Sequence, residues 1–194
     1  MTIDEIIDFM RGLDGVLIVA PTDGDGSPEI SWGDTFFFHS PDGTAPGATT
    51  QPFATIVTKD YPGDESSLLD RSDTFRVNIA AGKHMFREWT GREPGEPADG
   101  ARPALADAGA GAGAGTGAAT ETAERGATDT VIAHPVYGAA AWLAVVNPGP
   151  RTDTAVRLLL REAHRLARAR HERRAGAVAL SRTAAQGSSR TAGP

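Results

Sequence analysis

Apolar residues recur over the first thirteen positions at helical spacing. Ile3, Ile6, Ile7, Met10 and Leu13 fall on one face, and Thr2 stands three residues before Glu5, the spacing of a capping box. A helix is predicted from there, ended by Gly15. The period then changes: GVLIVAP (15–21) is a continuous run rich in β-branched residues, and the Asp-Gly pairs of DGDGSP (23–28) are turn signals. A hairpin follows, with its second strand inside EISWGDTFFFHS (29–40). PDGTAPGATTQP (41–52) is a loop by composition. PFATIVTKD (52–60) reads as a strand, with Phe53, Thr55, Val57 and Lys59 on one side and Ala54, Ile56, Thr58 and Asp60 on the other. DYPGDESS (60–67) turns the chain. FRVNIAAGK (75–83) sets Phe75, Val77 and Ile79 against Arg76 and Asn78, the alternation of a half-buried strand, and a short helix from about Lys83 to Thr90 is stopped by Gly91.

Residues 92–126 lose this patterning. They hold three prolines, an alternating Gly-Ala tract and almost no large apolar side chain, too little to offset the entropy of ordering, so the stretch is expected to be a disordered excursion. Strand patterns resume in TDTVIAHP (128–135) and in VYGAAAWLAVVNPGP (136–150), ended by Asn147-Pro148. From Thr152 to about Glu172, Val156, Leu159, Leu160, Ala163, Leu166 and Ala167 make a helical stripe. Residues 176–194 read as a flexible tail. The expectation is one α+β domain over 1–172, with a mostly antiparallel sheet of about five strands. An N-terminal helix and a long C-terminal helix pack on one face, and the excursion lies outside.

Composition narrows the chemistry. The 194 residues contain no cysteine, which excludes disulfides, thiolate metal sites and a thiol nucleophile. Acidic residues stand where a signal peptide needs positive charge, and no run of 18 apolar residues exists, so a cytoplasmic protein without a membrane span is expected. The net charge of −6 divides into −13 over residues 1–150 and +7 over 151–194. Such a split suits a basic helix aimed at an acidic partner or lying on its own acidic domain.

The five histidines show no metal-ligand spacing, and His164 and His171, two helical turns apart, are too distant to share an ion. Neither a metal nor a cofactor is expected. DGDGSPEI departs from a calcium loop at Ser27 and Pro28, and the Gly-Ala tract fits neither GxxxxGK nor GxGxxG. No GxSxG or SxxK occurs; Asp60, His134 and Ser66 could be drawn together as a triad only because such residues abound. The more pointed candidates are polar residues set in strands: Lys59 and Asp60 at a strand end, Arg76 and Asn78 on a polar face, and His134 before a proline. They converge on one cleft if their strands are neighbours. The plainer reading makes Lys59, Asp60 and Arg76 solvated ion pairs and has His134 cap a short helix. Trp142 reads as core. On the last helix Arg157, Arg161, Arg165 and Arg168 line up on one face, open to three readings: nucleic-acid contact, docking on the acidic body, or plain solvation.

The segments GDTFFFHSPDG, PFATIVTKDYPGDESSLLDR, FRVNIAAGKHMFREWTG and HPVYGAAAWLAVVNPGPRT, followed by LLREAH, resemble a family of small actinobacterial proteins classed as a domain of unknown function. The likeness covers residues 1–91 and about 128–172. It implies a compact α+β fold and brings no activity, substrate or cofactor. A fainter likeness at fold level is to the MmcQ/YjbR-like proteins.

The leading expectation is a non-enzymatic module that binds a small molecule or a protein, a second copy of itself included, through Lys59, Asp60, Arg76, Asn78 and His134. The alternative is a small metal-independent enzyme using Asp60 or His134 as acid or base. Nucleic-acid contact through the final helix ranks third, because the body of the chain would repel phosphate.

Overall fold

In the computed structural model, residues 1–47, 49–96 and 126–188 are described, the last eleven as backbone only. Among the described residues three helices, α1 (Ile3–Arg11), α2 (Gly82–Thr90) and α3 (Asp153–Ser188), accompany six strands. The strands are β1 (Val16–Val19), β2 (Thr35–His39), β3 (Ala54–Val57), β4 (Arg76–Ile79), β5 (Val131–Ala133) and β6 (Leu143–Val146). They form one sheet in the order β1-β2-β3-β4-β6-β5, with every neighbouring pair antiparallel. The α+β expectation holds, with one strand more than foreseen.

Helix α1 opens on the capping box: the Glu5 amide donates to Thr2 Oγ1 at 3.2 Å and the Thr2 amide to Glu5 Oε2 at 2.8 Å. It closes at Gly12, before Gly15, and the Gly12 amide makes the last helical bonds, to the carbonyls of Asp8 and Phe9. Helix α2 ends at Gly91 in the left-handed conformation, as its sequence predicts. At its start Gly82 has φ +77°, and a Cβ there would come within 2.8 Å of Leu166 Cδ1, so α2 lies hard against α3.

Register explains what each face carries. One row across all six strands reads Ile18, Phe37, Ala54, Ile79, Leu143 and Ala133. This face meets Ile6 and Met10 of α1, Phe86 of α2, and Val156, Leu159, Leu160 and Ala163 of α3 in one hydrophobic core. The adjacent row reads Val19, Phe36, Thr55, Asn78, Ala144 and Ile132. Because side chains alternate along a strand, this row and Arg76 lie on the face away from the helices.

That second face is itself partly covered. The connection between β3 and β4 folds back so that Leu69 and Tyr61 pack on Val57 and Val146. Strand β4 is therefore buried on both sides rather than half-buried: Arg76 is 2% exposed and Asn78 4%. Toward the C-terminus α3 continues through Ser188, where the sequence reading set a tail from 176; its alanines and arginines favour helix. Residues 189–194, and the part of the excursion from 97 to 125, lie outside the described residues. Among the described residues no helix is long and apolar enough to cross a membrane.

Candidate functional site

On the face away from the helices lies a cavity of about 480 Å³. Its floor is polar, because Thr55, Arg76 and Asn78 fall on that side of β3 and β4 by alternation and His134, just beyond the end of β5, lines it as well. Its walls are aromatic: Phe36 from β2, Tyr61 from the β3–β4 connection, and Tyr137 and Trp142 from the turn between β5 and β6.

Arg76 organises the floor. Its Nε donates to Asn78 Oδ1 at 2.7 Å, and Nη1 donates to Asp64 Oδ1 at 2.9 Å and to Ser67 Oγ at 2.8 Å. Nη2 donates to the other oxygen of Asp64, completing a bidentate fork, and Asn78 Nδ2 in turn donates to Thr55 Oγ1 at 2.9 Å. A guanidinium removed from water needs this pairing, since an uncompensated buried charge is costly.

His134 closes the floor beyond Arg76. It follows β5, its amide donates to the Trp142 carbonyl, and the chain then turns sharply through Gly138–Ala140 to Ala141 at φ +62°. His134 Nδ1 accepts from the amides of Val136 and Tyr137 at 3.1 and 3.2 Å. Burial first, and then the Arg76 charge, lower its pKa to about 4, against the opposing pull of Asp64. The ring is therefore neutral near pH 7. Tyr137 packs beside it with ring centroids 4.9 Å apart, and Trp142 lies 6.2 Å from Tyr137. Trp142 is only partly buried and lines the cavity, so it is a wall and not core.

Behind Tyr61 sits Asp34, 1% exposed, which accepts the Tyr61 hydroxyl and the Thr58 amide, the latter at 2.9 Å. Burial, followed by the Asp34 hydrogen bond and charge, raises the Tyr61 pKa, which keeps that phenol a donor.

The five polar residues singled out from sequence thus divide. Arg76, Asn78 and His134 are brought together on the cavity floor. Lys59 and Asp60 are not: β3 stops at Val57, and beyond it Lys59 Nζ donates to the Trp32 carbonyl while Asp60 Oδ1 accepts the Leu69 amide at 2.9 Å. Both brace loops. Ser66 Oγ is buried with no hydrogen-bond partner among the described residues, so Asp60, His134 and Ser66 form no relay there. Sequence reading passed over Asp64, Tyr61 and Tyr137. The acid sits in a turn whose composition explains it fully, and nothing local marks either tyrosine.

Elsewhere, Arg165 and Arg168 pair with Glu162 and Glu172 one turn away on α3, and Arg157 pairs with Asp153 at 3.1 Å. The guanidinium groups of Arg157 and Arg161 also stand over the Phe9 ring of α1, at 5.2 and 5.0 Å from its centroid. The stripe therefore touches its own domain at both ends, through Phe9 and, from Arg168, through Asp14 at 3.9 Å, and is matched along its length by acids of α3. His39 of β2 brings His164 and His171 together, packing edge-on to each at 5.3 and 5.4 Å. No group of His, Asp or Glu among the described residues has the arrangement to hold a metal ion.

Comparison with known proteins adds one finding. Neither the curated proteins nor the solved structures gave a match to the chain. The model of the family of unknown function DUF6194 matches residues 1–176, and the chain, with its sheet, its helices and every residue of the cavity floor inside that range, belongs to that family.

Proposed function

We propose that this protein is a small-molecule-binding domain, and that the cavity on the helix-free face of the sheet is its ligand site. The observation that carries the reading is the join of an aromatic-walled cavity to a floor of buried, mutually hydrogen-bonded polar groups. A concave, largely apolar pocket with a few fixed polar groups is the usual form of a ligand site. The Arg76–Asp64–Asn78–Thr55 network holds that floor rigid, which lowers the ordering cost of binding.

The acid-base alternative has less support. Asp60 is spent on a loop amide, and His134, with a pKa near 4 and Nδ1 engaged by two amides, is a poor proton acceptor at neutral pH. Nucleic-acid contact through the last helix is weakened by the acids and the Phe9 ring that already engage its arginines. A second reading, a protein partner or a second copy of this chain, is favoured by the mouth of the cavity, where Ile30, Val136 and Tyr137 are large, apolar and exposed. Light scattering that gives twice the chain mass would support it. The cysteine-free composition suits a reducing compartment, and we place the protein in the cytosol.

The test is a thermal-shift screen against metabolites, run on the wild type and on an Ile30→Trp/Val136→Trp variant that closes the mouth. A ligand at a hundred times its Kd stabilises by about 2.7 kcal/mol, roughly 5–10 °C for a chain of this size. The reading expects such a shift in the wild type and its loss in the variant. No stabilising compound, or equal stabilisation of both proteins, would refute it.

A further inference from the structure

Two hydrogen-bond donors face each other at the cavity floor. A neutral imidazole carries one proton, so one nitrogen donates and the other accepts. His134 Nδ1 lies 3.1 and 3.2 Å from two backbone amides and can receive them only through its lone pair. The proton is therefore on Nε2. That nitrogen lies 3.4 Å from Arg76 Nη2, and a guanidinium has no lone pair to offer. Four of the five guanidinium N–H groups are committed, to Asn78, to Ser67 and to both oxygens of Asp64. The fifth, on Nη2, is left on the His134 side. Two N–H groups of nearly inaccessible side chains thus meet with no acceptor for them among the described residues, an arrangement that is costly unless something supplies one.

We propose that this donor pair receives the uncharged carbonyl oxygen of a planar, mostly apolar ligand. The inference rests on the cavity being a ligand site. Charge selects the carbonyl over a carboxylate or phosphate. Among the described residues lining the cavity, Arg76 is the one full cation, and Asp64 already matches it. A second buried carboxylate, Asp34, stands behind Tyr61, and Lys59 is turned to a backbone carbonyl. An anion on the floor would meet Asp64 with no free positive charge to hold it, and desolvation would add to the penalty. A carbonyl oxygen has two lone pairs, enough for both donors, and carries no net charge. The walls set the rest: Phe36, Tyr137 and Trp142 offer ring faces and edges to a flat apolar body.

Three near-isosteric probes separate the outcomes: acetophenone, ethylbenzene and benzoate, titrated into the ¹⁵N-labelled full chain and followed by NMR at His134 and at the Trp142 indole. Acetophenone is expected to bind roughly tenfold more tightly than either of the others, the worth of one well-placed hydrogen bond to a charged donor. In His134→Asn, which keeps an oxygen acceptor near the place of Nδ1 and removes the Nε2 donor, that preference falls at least threefold. Ethylbenzene binding as well as acetophenone would mean that water alone serves the donors; it overturns the carbonyl inference and leaves the pocket standing. Benzoate binding best would make the site anionic and overturn it as well. No perturbation by any of the three would remove the pocket reading itself. The premise has its own check, independent of any ligand or variant: imidazole ¹⁵N shifts must place the His134 proton on Nε2, and a proton on Nδ1 overturns the inference.

Discussion

Replacing His134 by Asn is expected to flatten the acid sensitivity of this fold. In the unfolded chain a histidine titrates near 6.5; in the folded protein burial and the neighbouring Arg76 bring His134 down to about 4. Below pH 6.5 the unfolded state therefore takes up a proton that the folded state refuses. The contribution of the neutral ring is fully present above pH 6.5 and is lost as the pH falls from 6.5 to about 4. At 1.36 kcal/mol per pH unit, the loss over that window is roughly 3 kcal/mol. Other groups titrate there too. His39, lowered by burial and by His164, His171 and Arg168, contributes a slope of the same sign. The informative quantity is thus the difference between proteins: urea midpoints followed by circular dichroism at pH 7.5, 6.5, 5.5 and 4.5, for wild type and for His134→Asn. The variant retains an acceptor for the Val136 and Tyr137 amides, so its own cost at pH 7.5 is a constant offset. Wild type should lose most of those 3 kcal/mol in excess of the variant by pH 4.5. Parallel stability curves would show that His134 is not held neutral by its surroundings and does not carry a single proton on Nε2.

Further predictions concern the framework of the site. Arg76→Leu leaves Asp64 charged and Asn78 and Ser67 unpaired under the loop, and is expected to cost about 3–5 kcal/mol in urea unfolding; Arg76→Leu with Asp64→Leu together should cost less than the single change plus the cost of Asp64→Leu alone. Asp129 accepts Thr152 Oγ1 and the amides of Gly149, Arg151 and Thr152 at the start of α3. Burial raises its pKa, but these hydrogen bonds outweigh it and bring the carboxyl to about 2. Its support should hold above pH 4 and fade as the pH falls toward 2, and Asp129→Ala should abolish that low-pH component in acid titrations. Gly82→Ala is expected to cost about 1–3 kcal/mol, since a side chain at φ +77° is strained and its Cβ meets Leu166. Thr2→Ala should cost about 1 kcal/mol by removing half of the capping box, which a thermal melt would register.

What the sequence determined by itself was much of what depends on neighbours along the chain, though not the stop of α1, which falls at Gly12 and not at Gly15. The Thr2–Glu5 cap, the left-handed Gly91 stop, and the stripe Val156, Leu159, Leu160 and Ala163 are local in origin, and each occurs where the spacing placed it. Alternation also put Arg76 and Asn78 on one face of β4 and left Phe75, Val77 and Ile79 for the other. Tertiary structure decided what lies over that face. Arg76 and His134 are 58 positions apart, and they meet across β6, which pairs with both β4 and β5 and so brings the two strands into one sheet. Asp64 and Tyr61 join them because the β3–β4 connection folds back onto Val57 and Val146, turning a pair of apparently solvated residues into a buried network. Lys59 and Asp60 left the group for the same reason: pairing ends at Val57, after which the chain leaves the sheet plane and its polar ends are satisfied by loops. A period of two residues fixes which side of a strand a residue points to. Which surface meets that side is set by strand order and loop path, neither of which is written in any local stretch of sequence.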